Sequence, residues 1–247
     1  MSERGPEHFT LDVRTRLYIW LGSISITCLL LANVLGVKLF RFEIDLGGLG
    51  TIPVEHTVGM LPFPITFLLT DLLNEYYGKK AARRVTWIAF SMAALAFVLI
   101  WLGRMVPILE GIPGTADAAS FETIFGASSL MYIASIVAFL AGSLLDIFLF
   151  GVFKRATRGK MVWLRATGST VVSQFFDSFV VTFVFFMVLQ RLVGNEPAGL
   201  GFVFRTALTG YILKFVIAVL MTPVIYAGRW FIRTRFGLEP MPAGDVA

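Results

Sequence analysis

One segment sets the architecture of this chain: Phe63-Pro-Ile-Thr-Phe-Leu-Leu-Thr-Asp-Leu-Leu-Asn-Glu-Tyr-Tyr-Gly-Lys-Lys-Ala-Ala-Arg-Arg84. It begins as an apolar helix, carries the carboxylates Asp71 and Glu75 four residues apart, and ends in four cations. The surrounding sequence is too apolar for a surface helix, so we expect both carboxylates to lie inside a membrane bundle. An ionisable group there costs about 2.5–3.5 kcal/mol on insertion scales and usually marks the path of a substrate or an ion.

The composition is that of an integral membrane protein. Of the 247 residues, 57% are hydrophobic and 15% are charged, and the mean hydropathy is +0.79. Soluble domains carry about 25% charged residues. The net charge is +5, but the cations flank apolar runs, which is the pattern that orients membrane proteins. We therefore expect the lipid bilayer, and no nucleic acid, as a partner.

Six apolar segments are close to or above the ~20 residues that cross ~30 Å of hydrocarbon as a helix. Backbone groups in lipid must be paired within the segment, so these runs predict helices. The predicted fold is an all-α membrane protein, a bundle of six transmembrane helices. We expect a cytoplasmic segment 1–16, a transmembrane domain 17–232 and a cytoplasmic tail 233–247. The predicted spans are 17–39, 57–77, 85–103, 128–153, 168–192 and 204–230.

The connecting segments alternate in charge. The N-terminus, the loops after the second and fourth spans and the tail hold 15 lysines and arginines, whereas the other three loops hold 4. The positive-inside rule then predicts that both termini are cytoplasmic. An even number of spans agrees with this orientation, and the predicted location is the cytoplasmic (inner) membrane.

Two of the outer loops carry a local pattern. Residues 40–45 alternate apolar and polar side chains before a Gly-rich stretch and the segment 51–54, which is typical of a short hairpin. An irregular loop is an equally good interpretation. The loop 107–127 is long and rich in Gly, Pro and Ala, which is consistent with either a mobile lid or a linker.

Six charged side chains fall within or at the ends of the predicted spans. Counting ~1.5 Å per residue puts Asp177 and Lys214 near mid-depth on consecutive antiparallel helices, so these two residues are expected to pair. The long stem of Lys38 also allows it to reach the interface, and solvation at the inner interface explains Glu75 equally well. The set is Lys38, Asp71, Glu75, Asp146, Asp177 and Lys214.

Residues three or four apart lie on the same face of a helix. This spacing places carboxylates, amides and aromatic rings together on shared faces. Hydrogen bonding between helices explains the hydroxyl residues better than a site does. The full charges favour function. Carboxylates accept hydrogen bonds from N–H donors, amides bind ligand edges that carry both donors and acceptors, and aromatic rings stack on flat ligands. The pattern therefore predicts a small polar heterocycle as the ligand. The candidate substrate-binding residues are Asn33, Phe67, Asp71, Glu75, Asp146, Gln174, Asp177, Tyr211 and Lys214.

Other chemistries have little support in the sequence. The two histidines, His8 and His56, lie outside the predicted spans, and neither an HExxH nor a Walker A motif is present, so we expect no zinc protease and no ATPase. We expect no metal and no cofactor. Ser143 or Ser173 with Lys214 is a conceivable nucleophile and base, without an accompanying motif.

The chain resembles the vitamin-uptake/queuosine precursor transporter family of multi-pass membrane proteins. The matching residues run from the first span nearly to the end, and the chain departs from the pattern at Ser143, where the family often has Gln. The matches are Asn33 with Lys38, Gly59, Phe63-Pro-Ile-Thr-Phe, Thr70-Asp, Glu75-x-Tyr-Gly-Lys-Lys-x-Ala-Arg83, Gly142-x-x-x-Asp146-x-x-x-Phe150, Arg165-x-x-x-Ser169-Thr, Ser173-Gln-x-x-Asp177-Ser, Gly210-Tyr-x-x-Lys214, Thr222-Pro and Tyr226.

The resemblance implies six helices, a fold like the substrate-binding subunits of energy-coupling-factor importers, and uptake of 7-deazaguanines such as preQ0 and preQ1. The first candidates for lining the site are Asp71, Gln174, Asp177 and Lys214, followed by Asn33, Glu75 and Asp146. A carboxylate can accept both N1–H and the exocyclic amine of such a base, and a second carboxylate can hold the preQ1 ammonium. The residues do not decide which carboxylate does which.

Three hypotheses follow for function. The first is a small-molecule importer of queuosine precursors or of another vitamin-like heterocycle, and it is not an enzyme. The second is an intramembrane enzyme acting on a lipid or peptide, and the third is an assembly protein that binds a partner helix. For the importer, two sources of energy are equally consistent with the sequence. A proton can be carried on a buried carboxylate, or the chain can associate with a separate ATPase module. A homodimer is also left open.

Overall fold

The computed structural model describes residues 11–45, 51–109, 111–126, 129–158 and 160–242. Within these ranges the chain forms seven α-helices. A π-helical turn, Val184–Leu189, joins α5 to α6 without a break. The helices are α1 (Val13–Leu35), α2 (Phe63–Met105), α3 (Ala118–Phe125), α4 (Ser129–Ala156), α5 (Val162–Phe183), α6 (Gln190–Leu192) and α7 (Leu200–Phe236).

In the part of the chain that the structure describes, five helical runs are long and apolar enough to cross a membrane. Large apolar side chains on them point outward, as Trp20, Leu99 and Trp230 do, whereas Asp71, Asp146 and other polar side chains are buried. This is the inverse of a soluble protein, in which apolar groups fill the interior. The protein therefore has the architecture of a mostly helical, multi-pass membrane protein.

The second run, α2, contains one non-helical residue. Gly78 has φ 79° and ψ 172°, a conformation that only glycine adopts without strain. Residues 63–77 and 79–105 are therefore two helical segments that meet at Gly78. The predicted loop from Lys79 to Arg84 is wrong, because these residues are helical, and Lys, Ala and Arg are good helix formers.

The predicted hairpin is confirmed. Strand β1 (Leu39–Asp45) pairs with β2 (Thr51–Thr57) in antiparallel register, with Leu39 opposite Thr57. The Gly-rich residues 46–50 lie outside the described ranges. A short 3-10 turn, Val58–Met60, follows β2 and leads into α2.

The long segment between α2 and α4 contains the short helix α3. The Asp117 side chain caps it by accepting the Ser120 N–H at 2.6 Å, as N-cap residues do. Arg104 at the end of α2 donates from Nε to the Glu122 carboxylate in α3 at 3.0 Å. The segment is thereby attached to α2.

The helices pack closely enough to hold a site between them. The main neighbours are α4 with α5, α1 with α2, α5 with α7, and α2 with α4. Gly59 in the 3-10 turn presses on α1, since a Cβ there would lie 2.2 Å from the Ala32 carbonyl oxygen. This approach brings the end of the hairpin against the bundle, beside α1, α2, α5 and α7.

Candidate functional site

The ammonium of Lys214 in α7 forms an ion pair with the carboxylate of Asp177 in α5. The Asp177 side chain is 4% exposed and the Lys214 side chain 14% exposed. The ammonium also lies 5.0 Å from the ring centroid of Phe63 at the start of α2. The pairing expected from helix depth is confirmed, and it joins α5 to α7 inside the bundle.

Two cavities meet at this ion pair. They share Met60, Phe63 and Lys214 as lining residues, and Asp177 belongs to the second. The first, here the Gln174 cavity, is lined mainly by α2, α5 and α7. The second, here the His56 cavity, has a volume of about 250 Å³. Polar or aromatic lining residues of the Gln174 cavity include Phe63, Phe67, Asp71, Thr170 and Gln174, and those of the His56 cavity include Asn33, His56, Tyr132 and Ser135.

The Gln174 cavity contains polar atoms without a protein partner. Within the described residues, neither the Nε2 nor the Oε1 of Gln174 makes a hydrogen bond, and the same is true of Asp71 Oδ1. Both side chains are buried. Buried polar groups are normally hydrogen-bonded, so each exception needs a reason. An amide and a carboxyl oxygen left unpaired along one cavity wall are suited to a ligand that supplies both donors and acceptors.

Aromatic rings stand beside these groups. Phe63 and Phe67 both line the Gln174 cavity and pack edge to face with their ring centroids 5.1 Å apart. Their faces and edges give a flat ligand an apolar surface next to the polar wall.

His56 is a cavity residue that sequence reasoning missed, because hydropathy puts it in an outer loop. Its Nδ1 accepts the Thr57 backbone N–H at 2.8 Å, so the neutral ring carries its proton on Nε2. Burial, and then the Lys214 ammonium, lower the pKa of His56 below its usual 6.5. The ring therefore stays neutral and offers one N–H donor. The sequence feature that could have indicated this position is the predicted hairpin, because its last residues return to the helix bundle.

Asp146 lies behind the Gln174 cavity rather than on its wall. It is fully buried in α4 and its Oδ1 accepts hydrogen bonds from Thr170 (3.3 Å) and Ser173 (3.1 Å) of α5. Its carboxyl is the direct neighbour of the Asp71 carboxyl. The structure therefore places Asp146 next to a cavity residue without contact to the cavity.

Glu75 lies further along α2 in a cluster of cations. Its carboxylate is ion-paired with Arg165, with Lys154 Nζ at 3.3 Å and with Arg229 Nη2 at 3.5 Å. The Met241 N–H donates to the Glu75 carbonyl at 3.0 Å. This Glu75 cluster ties α2, α4, α5 and α7 together, so its charge is accounted for by structure.

The remaining candidates divide between the cavities and the outside. Asn33 lines the His56 cavity, where its Nδ2 donates to the Leu29 carbonyl at 3.0 Å. Tyr211 lies outside both cavities, with its ring 5.4 Å from that of Phe175. The described residues contain no group of three or more His, Cys, Asp or Glu side chains arranged to hold a metal ion.

The sequence profile of one transporter family covers most of this region. The family described as "Putative vitamin uptake transporter" matches residues 57–228, which run from the end of β2 through most of α7 and include both Asp177 and Lys214. The chain belongs to this family. Its members are transporters by name, and the resemblance read from the motifs is confirmed.

Three relatives carry a more specific name. The chain is 32% identical over 215 residues to a "Probable queuosine precursor transporter" of Bacillus subtilis, covering 86% of this chain and 83% of the relative. It is 26% identical over 217 residues to a protein of the same name in Haemophilus influenzae, covering 86% of each. It is 25% identical over 178 residues to a "Queuosine precursor transporter" of Escherichia coli, covering 72% of each.

All three names describe transporters and none describes an enzyme. No solved structure is significantly similar to the chain. The two cavities thus lie in a member of a transporter family whose relatives are named as queuosine precursor transporters.

Proposed function

We propose that this protein imports queuosine precursors, 7-deazaguanine bases such as preQ0 and preQ1, across the cytoplasmic membrane. The observation that carries the proposal is the Gln174 amide, which is buried on a cavity wall with both polar atoms unpaired. The names of the relatives supply the substrate class.

The chemistry of the Gln174 cavity fits the edge of such a base. A guanine-like edge presents two N–H donors and a carbonyl acceptor. The Asp71 carboxyl accepts the two donors, and the Gln174 amide both donates and accepts. The rings of Phe63 and Phe67 cover the flat faces and exclude water.

The His56 cavity then receives the substituent at the 7-position. Asn33, His56 and the Lys214–Asp177 pair line it. A neutral His56 donates from Nε2 to a nitrile nitrogen, and the Asp177 carboxylate attracts the ammonium of preQ1.

The proposed topology has six spans over residues 17–232, in a fold like that of the energy-coupling-factor substrate-binding subunits. The non-helical Gly78 supports the sixth span, because it separates residues 58–77, counted from the start of the 3-10 turn, from residues 79–105, and each stretch reaches the length that a span needs. The cation-rich segments support cytoplasmic termini. The Glu75 cluster then lies toward the cytoplasmic side.

The test is ligand binding by the purified protein in detergent, measured by calorimetry with preQ0, preQ1, guanine and riboflavin. The variant is Gln174→Met, which keeps the volume and removes the amide. The amide has no protein partner to lose, so this variant should fold normally. We expect deazaguanine affinity to fall about 5- to 150-fold, since leaving substrate donors and acceptors unpaired costs about 1–3 kcal/mol.

Gln190→Met is the matched control, because Gln190 carries the same amide outside both cavities, bonded to Asn195 at 2.7 Å. It should bind like the wild type. Selective binding of riboflavin would redirect the proposal to another vitamin-like heterocycle. If folded protein binds none of the four compounds, the importer proposal is overturned. The hypotheses of an intramembrane enzyme and of an assembly protein would then have to be tested.

A further inference from the structure

The Asp71 and Asp146 carboxyls face each other between α2 and α4, and each has an oxygen without a partner. The unpaired atoms are Asp71 Oδ1 and Asp146 Oδ2. The other oxygen of Asp146 accepts from the hydroxyls of Thr170 and Ser173. Both carboxyls are buried, at 4% and 0% exposure. Two neighbouring carboxylates can form a hydrogen bond with each other only if one of them holds a proton.

The other described buried carboxylates of the bundle are neutralised in a different way. Glu75 has three cations around it and Asp177 has Lys214. Within the described ranges, no lysine, arginine or histidine forms an ion pair with Asp71 or Asp146. Two adjacent carboxylates without a counterion cannot both ionise in a low-dielectric site.

The charged groups around the pair come from several helices. Glu75 faces Asp71 from the same helix, and Arg165 faces it from α5 but is engaged by Glu75. Lys214 of α7 lines the same cavity as Asp71 and is engaged by Asp177. The pair is therefore the place in the bundle where a proton, rather than a cation, supplies the missing positive charge.

We propose that Asp71 and Asp146 form a proton-binding site that couples import to the proton gradient, one proton entering with each base. The proposal rests on the transport function proposed above. Intramembrane carboxylates commonly form such proton sites in pumps and transporters.

The positions of the two carboxyls give the route. Asp71 lines the Gln174 cavity and can exchange a proton with water there, whereas Asp146 is fully buried and does not line the cavity. When a base fills the cavity and its N–H groups bond to Asp71, the proton remains on Asp146. When the base leaves into the cytoplasm, water reaches Asp71 and the proton follows. On the empty return, water in the Gln174 cavity solvates the ionised Asp71, so the pair is no longer in the dry environment that forbids two adjacent charges.

The first experiment uses wild-type protein reconstituted in liposomes with a pH-sensitive dye inside. Addition of preQ0 outside should acidify the lumen. An imposed gradient, acidic outside, should drive preQ0 above its equilibrium level. We name preQ0 because it carries no ammonium, so any proton that moves is separate from the substrate. Transport of preQ0 without acidification would overturn the proton site.

The second experiment tests the residues with Asp146→Asn. Asparagine keeps an oxygen for Thr170 and Ser173 and permanently offers an N–H to Asp71, so it mimics the protonated pair. Gradient-driven accumulation should fall to the equilibrium level, and preQ0 exchange without a gradient should become independent of pH. Asp117→Asn is the control, since Asp117 is an exposed cap outside the spans, and it should accumulate preQ0 like the wild type.

The two proposals fail in different ways. A wild-type protein that exchanges preQ0 across the liposome membrane, yet neither moves protons nor accumulates preQ0, overturns the proton site and leaves the importer standing. A folded wild-type protein that neither binds nor exchanges preQ0 overturns the importer and the proton site with it. Gradient-driven accumulation by Asp146→Asn equal to that of the wild type overturns the assignment to this pair.

Discussion

The ion pair between Lys214 and Asp177 belongs to two cavities at once. Asp177 faces the His56 cavity, and Lys214 lines both that cavity and the Gln174 cavity. A ligand that enters either cavity therefore meets one end of the same pair. Because α5 and α7 each contribute one partner, ligand contacts here also act on the packing of these two helices.

Replacing one partner of this ion pair should destabilise the protein more than replacing both partners. In Asp177→Asn the Lys214 ammonium stays largely buried without its counterion, and such losses typically cost about 3–5 kcal/mol. We expect a clear fall in unfolding temperature, measured in detergent. The double variant Asp177→Asn with Lys214→Gln should recover most of it. Equal stability of the single and double variants would contradict the pairing.

The Glu75 cluster should be more sensitive than any surface ion pair. Glu75→Gln leaves Lys154, Arg165 and Arg229 facing one another without a carboxylate, and we expect a loss of about 3–5 kcal/mol in unfolding free energy. The measurement is unfolding monitored by circular dichroism.

Glu239→Gln is the comparison for this variant. Glu239 pairs with Arg233 at 3.0 Å, but both side chains are well exposed, and exposed pairs contribute about 0–1 kcal/mol. A Glu75 variant as stable as the Glu239 variant would show that the cluster does not hold the helices together.

Gly78→Ala should destabilise the protein through its backbone. A residue with a Cβ at φ 79° and ψ 172° costs about 1–3 kcal/mol, because this backbone region is essentially confined to glycine, and the new Cβ would lie 3.2 Å from the Met241 sulfur. Gly103→Ala is the control in the same helix, because nothing lies within 4 Å of a Cβ there. It should be neutral or slightly stabilising. The test is thermal unfolding of both variants. Equal unfolding temperatures for Gly78→Ala and Gly103→Ala would contradict the prediction.

His56 should make stability depend on pH. Its pKa in the folded protein is lowered from 6.5 by burial and by Lys214. As pH falls through 6.5, the unfolded chain binds a proton at this residue before the folded protein does, so stability decreases. The wild type should lose more thermal stability than His56→Gln between neutral and mildly acidic buffer. Parallel losses would mean that His56 titrates normally.

Hydropathy predicted where the helices lie, because each apolar run is long enough to cross a bilayer. It misplaced the connection between the second and third runs. Lys79 to Arg84 looked like a loop because they are charged, yet they are helical, and the chain turns at Gly78 instead. A single glycine among good helix formers does not reveal its φ angle.

The site was predicted in part. Depth along two helices was sufficient to pair Asp177 with Lys214. Periodicity assigned Asp146 to a polar face, but the helix that this face contacts depends on tertiary packing, and the structure puts Asp146 behind Asp71 rather than on the cavity wall. His56 was missed because the path of a hairpin back to the bundle is a long-range property.

The Glu75 cluster also has a consequence for how the protein is made. Glu75 is synthesised 79 residues before Lys154 and 90 residues before Arg165. During membrane insertion the Glu75 carboxylate therefore has no ion-pair partner until α4 and α5 have been inserted. We expect Glu75 to stay at the membrane surface or in the translocation machinery until then. The bundle closes late in biogenesis, when Arg229 and the Met241 backbone N–H have emerged.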